Sequence, residues 1–138
     1  MSGSTSTSRI VLDASALIRA LVELQSEARR WLEVGVARSA LTWPAHLYVE
    51  VAHPLTRLAR SGVIDRAQAV EAFAQVRVLP ARVTPPRQLE AAMAVALGRR
   101  LTVYDAAYVV LAEALHAPLV TADRRLAAAT DQAVLLPE

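Results

Sequence analysis

The sequence predicts an α/β domain with a parallel sheet covered by helices on both faces. Two observations carry that prediction: short apolar runs rich in β-branched residues, such as Ile10 to Leu12, and helical patterns that alternate with them along the whole chain. At 138 residues, 54% of them hydrophobic, the chain has the length of one domain and ample material for a single core.

The elements follow in order. Residues 1–8, small and hydroxylated, are expected to form a disordered lead, with residues 9–138 as a single domain. Ile10-Val11-Leu12 reads as a buried strand ending at Asp13, and Ala14 to Ile18 starts a helix. Ser26 is placed to cap a helix over Glu27 to Val36, which carries apolar Ala28, Trp31, Leu32 and Val36. Ala40 to Thr42 is a second strand. Pro44 suits the first turn of the next helix, along which Leu47, Val51, Leu55 and Leu58 recur, and Pro54 inside it should kink or split it. Gly62 closes that segment, Asp65 caps a helix through Ala67, Val70, Phe73 and Ala74, and Val76 to Leu79 reads as a weak strand. Pro85-Pro86 opens a helix through Leu89, Met93 and Leu97, stopped by Gly98. Val103 to Leu115 is a strongly apolar helix, Pro118 to Thr121 a strand, the stretch after Asp123 a short helix, and Ala133 to Leu136 a closing strand.

Composition excludes several chemistries. There is no cysteine, hence no thiolate nucleophile and no cysteine-based zinc site. All 15 basic residues are arginine, so lysine-dependent enzymes are out, and Gly3, Gly35, Gly62 and Gly98 are too few to build a dinucleotide fingerprint or a phosphate-binding loop. No apolar run approaches the roughly 20 residues that span a bilayer, and a soluble, cytoplasmic protein without a membrane partner is expected.

In parallel sheets, ligands bind at the carboxyl ends of the strands, which directs attention to the acids placed there. Asp13 and Asp123 directly follow predicted strands, Glu50 lies early in the helix after the second strand, and Asp105 falls in the first turn of the Val103 helix. Each alone has an ordinary reading as a helix cap or a solvated surface acid. Together they predict a divalent metal site, because carboxylates gathered in a cleft repel unless a cation neutralises them. Oxygen-only ligands favour Mg2+ or Mn2+ over zinc, and one well-ordered ion with a weaker second is expected. His46 and His53 lack zinc-site spacing and read as surface residues, and His116 reads as structural at a helix end.

Such a site suits phosphodiester hydrolysis. Setting the four acids aside leaves 15 basic against 9 acidic residues, a formal +6 that favours a nucleic-acid substrate. Candidate phosphate contacts are Arg19, Arg99, Arg100, Arg124 and Arg125, with Arg124 the strongest because it adjoins Asp123. Ser15 and Thr121, each two residues from an acid, could orient a carboxylate, although Thr121 alone reads as a plain strand residue.

Val11-Leu12-Asp13-Ala14-Ser15-Ala16-Leu17, Pro44 with Glu50-Val51, Tyr104-Asp105-Ala106-Ala107-Tyr108 and Leu119-Val120-Thr121-Ala122-Asp123 together resemble the PIN-domain ribonucleases. The likeness runs from about Ile10 to Leu136 and is closest to the VapC-like toxins of type II toxin–antitoxin systems. The resemblance implies a three-layer α/β/α PIN-like domain, Mg2+ or Mn2+ held by Asp13, Glu50, Asp105 and Asp123, hydroxyl support from Ser15 and Thr121, and endonucleolytic cleavage of RNA. It also implies a homodimer restrained by a cognate antitoxin. Pro54 departs from the pattern, since a kink there would move Glu50. One competing reading is a PIN-like module that binds RNA or antitoxin with a degraded site. Another is an aspartate-based phosphatase or receiver domain, disfavoured by the missing lysine and by Ser15 at the position of a second aspartate.

Overall fold

The computed structural model describes residues 8–85 and 87–138. Of the expected disordered lead only Ser8 falls within them, and Pro86 of the expected helix start also lies outside the described residues.

Five parallel strands, β1 (Ile10–Leu12), β2 (Leu41–Pro44), β3 (Arg82–Thr84), β4 (Leu119–Thr121) and β5 (Ala133–Leu135), form one sheet in the order β3-β2-β1-β4-β5. The three inner strands are buried along their whole length, as apolar runs between two helical layers must be, while the edges β3 and β5 are partly exposed. Ile10 lies opposite Leu41, and Val11 lies opposite both Thr42 and Leu119, which fixes β1 at the centre.

α1 (Ala14–Val22) contacts α2 (Glu27–Ala37), α3 (Leu47–Arg60), β1 and β4. α6 (Val103–Leu115) rests on α5 (Leu89–Arg99) and crosses β1, β2 and β4. α4 (Arg66–Arg77) pairs with α3, and α7 (Arg124–Ala127) joins β4 to β5. The result is the three-layer α/β/α arrangement. Trp43, Leu12, Leu17, Leu47, Leu119 and Tyr108 are fully buried in its core. Local capping sets the helix starts as expected: the Ser26 hydroxyl accepts the Arg29 N–H, and Asp65 forms a reciprocal capping box with Gln68.

Four expectations are corrected. Pro44 ends β2 instead of opening a helix, which begins three residues later at Leu47. Val76 closes α4, its side chain fully buried, and the strand forms at Arg82–Thr84, an edge position that needs no apolar run. Gly98 lies inside α5, and Arg100 takes the left-handed turn at φ 57° that ends it. Pro54 leaves the Glu50 carbonyl without its helical donor, yet α3 continues through it unsplit.

The sheet order dictates where a ligand can sit. The chain runs outward from β1 through β2 to β3, then returns to lay β4 on the other side of β1. Connections leaving β1 and β4 therefore diverge, opening a crevice at their carboxyl ends.

Candidate active site

Asp13 stands at that crevice, directly after β1. Its backbone is extended, φ −83° and ψ 176°, and its Oδ1 accepts the Ala16 N–H at 2.9 Å, so it does cap α1. It also does more than cap. Asp13 is only 5% exposed; the Ser15 hydroxyl donates to Oδ1 at 2.7 Å and the Thr121 hydroxyl to Oδ2 at 2.5 Å. Burial nevertheless outweighs these donors and pushes its pKa up to about 6. A carboxylate placed only to cap a helix would stay in water and avoid that cost.

The same hydroxyls stitch β1 to β4. Thr121 Oγ1 accepts the Asp123 N–H at 3.0 Å, and Ser15 Oγ accepts the Ala122 N–H at 3.0 Å. Thr121 is thus more than a strand residue: it fixes Asp13 and Asp123 relative to each other. Asp123 caps α7 through Oδ1, which accepts the N–H groups of Arg125 at 2.8 Å and Leu126 at 3.3 Å.

Asp105 enters from α6, whose start is set by Thr102 accepting the Asp105 N–H at 3.0 Å. Half-buried, it has its pKa raised by desolvation first and by the charge of Asp123 second, against the opposing pull of Thr102, Arg125 and His46. Glu50 enters from the first turn of α3, where the Tyr108 hydroxyl donates to its Oε1 at 2.7 Å. Burial and Glu50 together raise the Tyr108 pKa far above its usual value, so Tyr108 stays a donor. Asp13, Glu50, Asp105, Asp123 and Ser15 all line one cleft of about 560 Å³. Among the described residues no three His, Asp or Glu side chains close on one another as a compact ligand set.

The surface reading holds for His53, which is exposed at the mouth of the cleft, and is corrected for His46, which is partly buried in its lining. His46 Nε2 lies 3.7 Å from Glu50 Oε1 and 3.0 Å from the Tyr104 carbonyl, and its ring meets Tyr104 and Tyr108 edge-on at 5.5 and 5.1 Å. The signal that could have found it was the spacing of His46, Glu50 and His53 along one helix face. His116 is structural as expected, taking the left-handed position that ends α6.

The arginines divide differently from expectation. Arg99 is held by Glu113, at 2.7 and 3.3 Å, and by the Ala129 carbonyl. Arg19 donates to the Pro137 carbonyl at 2.6 Å, tying α1 to the C-terminal segment, and Arg100 serves as the turn after α5. Arg124 pairs with Glu138 at 2.6 Å, on the exposed side of α7. Arg125 is the one of the five whose charge acts on an acid of the cleft, Asp105.

A parallel α/β domain with carboxylates gathered at its topological switch point is the class that fold and site define. Residues 10–132 match the PIN domain, and the chain belongs to that family. It is similar to the protein named Ribonuclease VapC3 of Mycobacterium tuberculosis strain H37Rv, 34% identical over 123 residues that cover 88% of this chain and 87% of the relative. It is also similar to Ribonuclease VapC1 of that strain, 37% identical over 122 residues covering 86% and 89%. Among solved structures it resembles the crystal structure of PAE2754 from Pyrobaculum aerophilum, with a TM-score of 0.77 and 30% identity over 96% of this chain and 86% of that one. The four motifs that suggested a VapC-like PIN protein therefore led to the right family.

Proposed function

We propose that this chain is a metal-dependent endoribonuclease and the toxin of a toxin–antitoxin pair. The observation that carries the reading is the gathering of Asp13, Glu50, Asp105 and Asp123 around one cleft at the switch point, with Asp13 buried at a raised pKa. The names of its VapC relatives support RNA as the substrate.

The donor chemistry fits a hard divalent cation. The candidate ligands are all carboxylate oxygens, and Asp13 and Asp105 both carry pKa values raised in part by a neighbouring acid, a repulsion that a cation relieves. Asp13, Asp105 and Asp123, with Glu50, would hold Mg2+ or Mn2+, which when bound lowers the pKa of a water and stabilises charge on a phosphoryl group. The protein's own part is positional. Ser15 and Thr121 fix the Asp13 carboxylate, Thr121 couples it to the Asp123 backbone, Tyr108 orients Glu50, and Arg125, whose charge acts on Asp105, offers a cation for the phosphate.

An antitoxin is the expected partner, and a homodimer the expected assembly. The exposed stripe Leu89, Met93 and Leu97 on α5 is symmetric about Met93, so a two-fold axis there would set Leu89 of one copy against Leu97 of another. No helix among the described residues is long and apolar enough to cross a membrane.

The test offers the purified chain single-stranded RNA and DNA of matched sequence with Mg2+ or Mn2+ and with chelator. Cuts in RNA alone, abolished by chelator, are the expected result. RNA binding without cleavage under any metal would select a binding module with a degraded site.

A further inference from the structure

Part of the cleft lining is left unused by phosphate chemistry. Beside the carboxylates, Val49, His53, Pro54 and Tyr104 also line the cleft, and two of these are large apolar side chains left open to water, Val49 at 72% and Tyr104 at 61% exposure.

Tyr104 is held in place despite that exposure. Its ring meets the His46 ring edge-on, with centroids 5.5 Å apart and planes inclined by 63°, and its carbonyl lies 3.0 Å from His46 Nε2. His46 is itself held by the Tyr108 ring at 5.1 Å and by Glu50 at 3.7 Å. The aromatic ring is thus preset before any ligand arrives. Tyr104 also directly precedes Asp105 in the first turn of α6, so the ring and a candidate phosphate-site carboxylate leave adjacent Cα atoms.

We propose that Tyr104, with Val49 and Pro54 of the same cleft lining, forms a nucleobase subsite that stacks one unpaired base next to the phosphate held at the carboxylates. The inference rests on the ribonuclease reading. A flat, apolar, slightly polar-edged ligand matches this lining, whereas a charged one leaves it bare. A base inside a duplex has both faces covered by its neighbours, so only an unstacked base presents a face to the ring. The subsite therefore selects a substrate unpaired at the position beside the cut.

The test uses the full chain and a fluorescent single-stranded RNA that the wild type cuts, with binding read by anisotropy in chelator and cleavage read in Mg2+. Tyr104→Ala is expected to weaken binding and raise KM by about 5- to 100-fold while kcat changes far less, and Tyr104→Phe to stay within about 2-fold of wild type. Removing the base beside the cut, as an abasic nucleotide, costs the wild type a similar factor and costs Tyr104→Ala little more. Wild-type binding and cleavage by Tyr104→Ala overturns the subsite, as do penalties that simply multiply. Light scattering on the variant adds one more outcome: loss of an oligomer present in wild type assigns the ring to a subunit contact and overturns the proposal. A wild type that neither binds nor cuts any RNA overturns the ribonuclease reading itself and the subsite with it.

Discussion

Asp13→Asn is expected to stabilise the metal-free protein at neutral pH while removing its activity. Burial pushes the Asp13 pKa up to about 6 in the fold, against about 3.9 for an aspartate free in water. Between those two values the folded state keeps a proton that the unfolded chain has released. Stability tied to this group is therefore fully present below about pH 4 and is lost as pH rises through 6. At about 1.4 kcal/mol per pKa unit, the charged carboxylate costs the metal-free fold up to roughly 3 kcal/mol at pH 7. Asparagine keeps the shape and removes the charge. Its Oδ1 still accepts from Ser15 and Ala16, and its amide donates to Thr121 Oγ1, whose proton can turn to Ser15 Oγ 3.4 Å away. The expected gain is about 1 to 3 kcal/mol, or about 3 to 10 °C in Tm for a chain of this size. Thermal unfolding in chelator at pH 4 and pH 7 measures it. The variant should be the more stable at pH 7, and the gap should close at pH 4. Added Mg2+ should raise the Tm of wild type only. A variant less stable than wild type at pH 7, or a gap indifferent to pH, would refute the claim that Asp13 is a buried, destabilising charge.

Other expectations follow from the same contacts. Thr121→Val removes the donor to Asp13 Oδ2 and the acceptor for the Asp123 N–H, and should cost about 1 to 3 kcal/mol and at least about tenfold in cleavage rate, with Thr121→Ser restoring most of both. Gly35→Ala would place a Cβ 2.2 Å from Leu41 Cδ2 and 2.8 Å from its Cγ, and Leu41 is fully buried. Overpacking of about 1 to 3 kcal/mol should outweigh the roughly 1 kcal/mol gained in helix propensity, which urea unfolding would show as a lower midpoint. Arg99→Ala should lower stability by up to about 1 kcal/mol and leave RNA affinity unchanged, because its guanidinium serves Glu113. Arg125→Ala should weaken RNA binding and reduce its dependence on salt by about one counterion, read from affinities at several ionic strengths.

Much of the fold was legible because local rules and tertiary structure agree. Ile10 to Leu12 is apolar at every position because β1 is covered on both faces, and Ser26 and Asp65 cap helices by the hydrogen bonds their side chains predict. The misplaced third strand marks where that agreement ends. Arg82 to Thr84 lies at the sheet edge, so nothing in its hydrophobicity distinguishes it from a loop, whereas Val76 to Leu79 looks like a strand because Val76 must bury itself at the end of α4. Pro44 misled for a related reason: proline fits a strand end as well as a helix start, and only pairing with Thr84 decides between them.

At the site, all four acids were visible because each follows a strand or opens a helix. What could not be read from spacing was which side chains face them. His46 looked like a surface residue until the fold laid it between Tyr104 and Tyr108. Arg124 adjoins Asp123 in sequence, but it pairs with Glu138, and it is the charge of its neighbour Arg125 that acts on Asp105. Arg99, likewise, was indistinguishable from a phosphate ligand until Glu113, 14 residues on, came within 2.7 Å.

The most direct test of the central claim, that these carboxylates work together as a metal-dependent nuclease centre, is cleavage of an end-labelled transfer-RNA pool by wild type and Asp13→Ala. Each is assayed across a Mg2+ or Mn2+ titration, with circular dichroism confirming that both are folded. Cuts at discrete positions that rise with metal, vanish in chelator and are absent from the folded variant are the predicted result. Cleavage by Asp13→Ala at the wild-type rate, or cleavage by wild type indifferent to chelator, would contradict it.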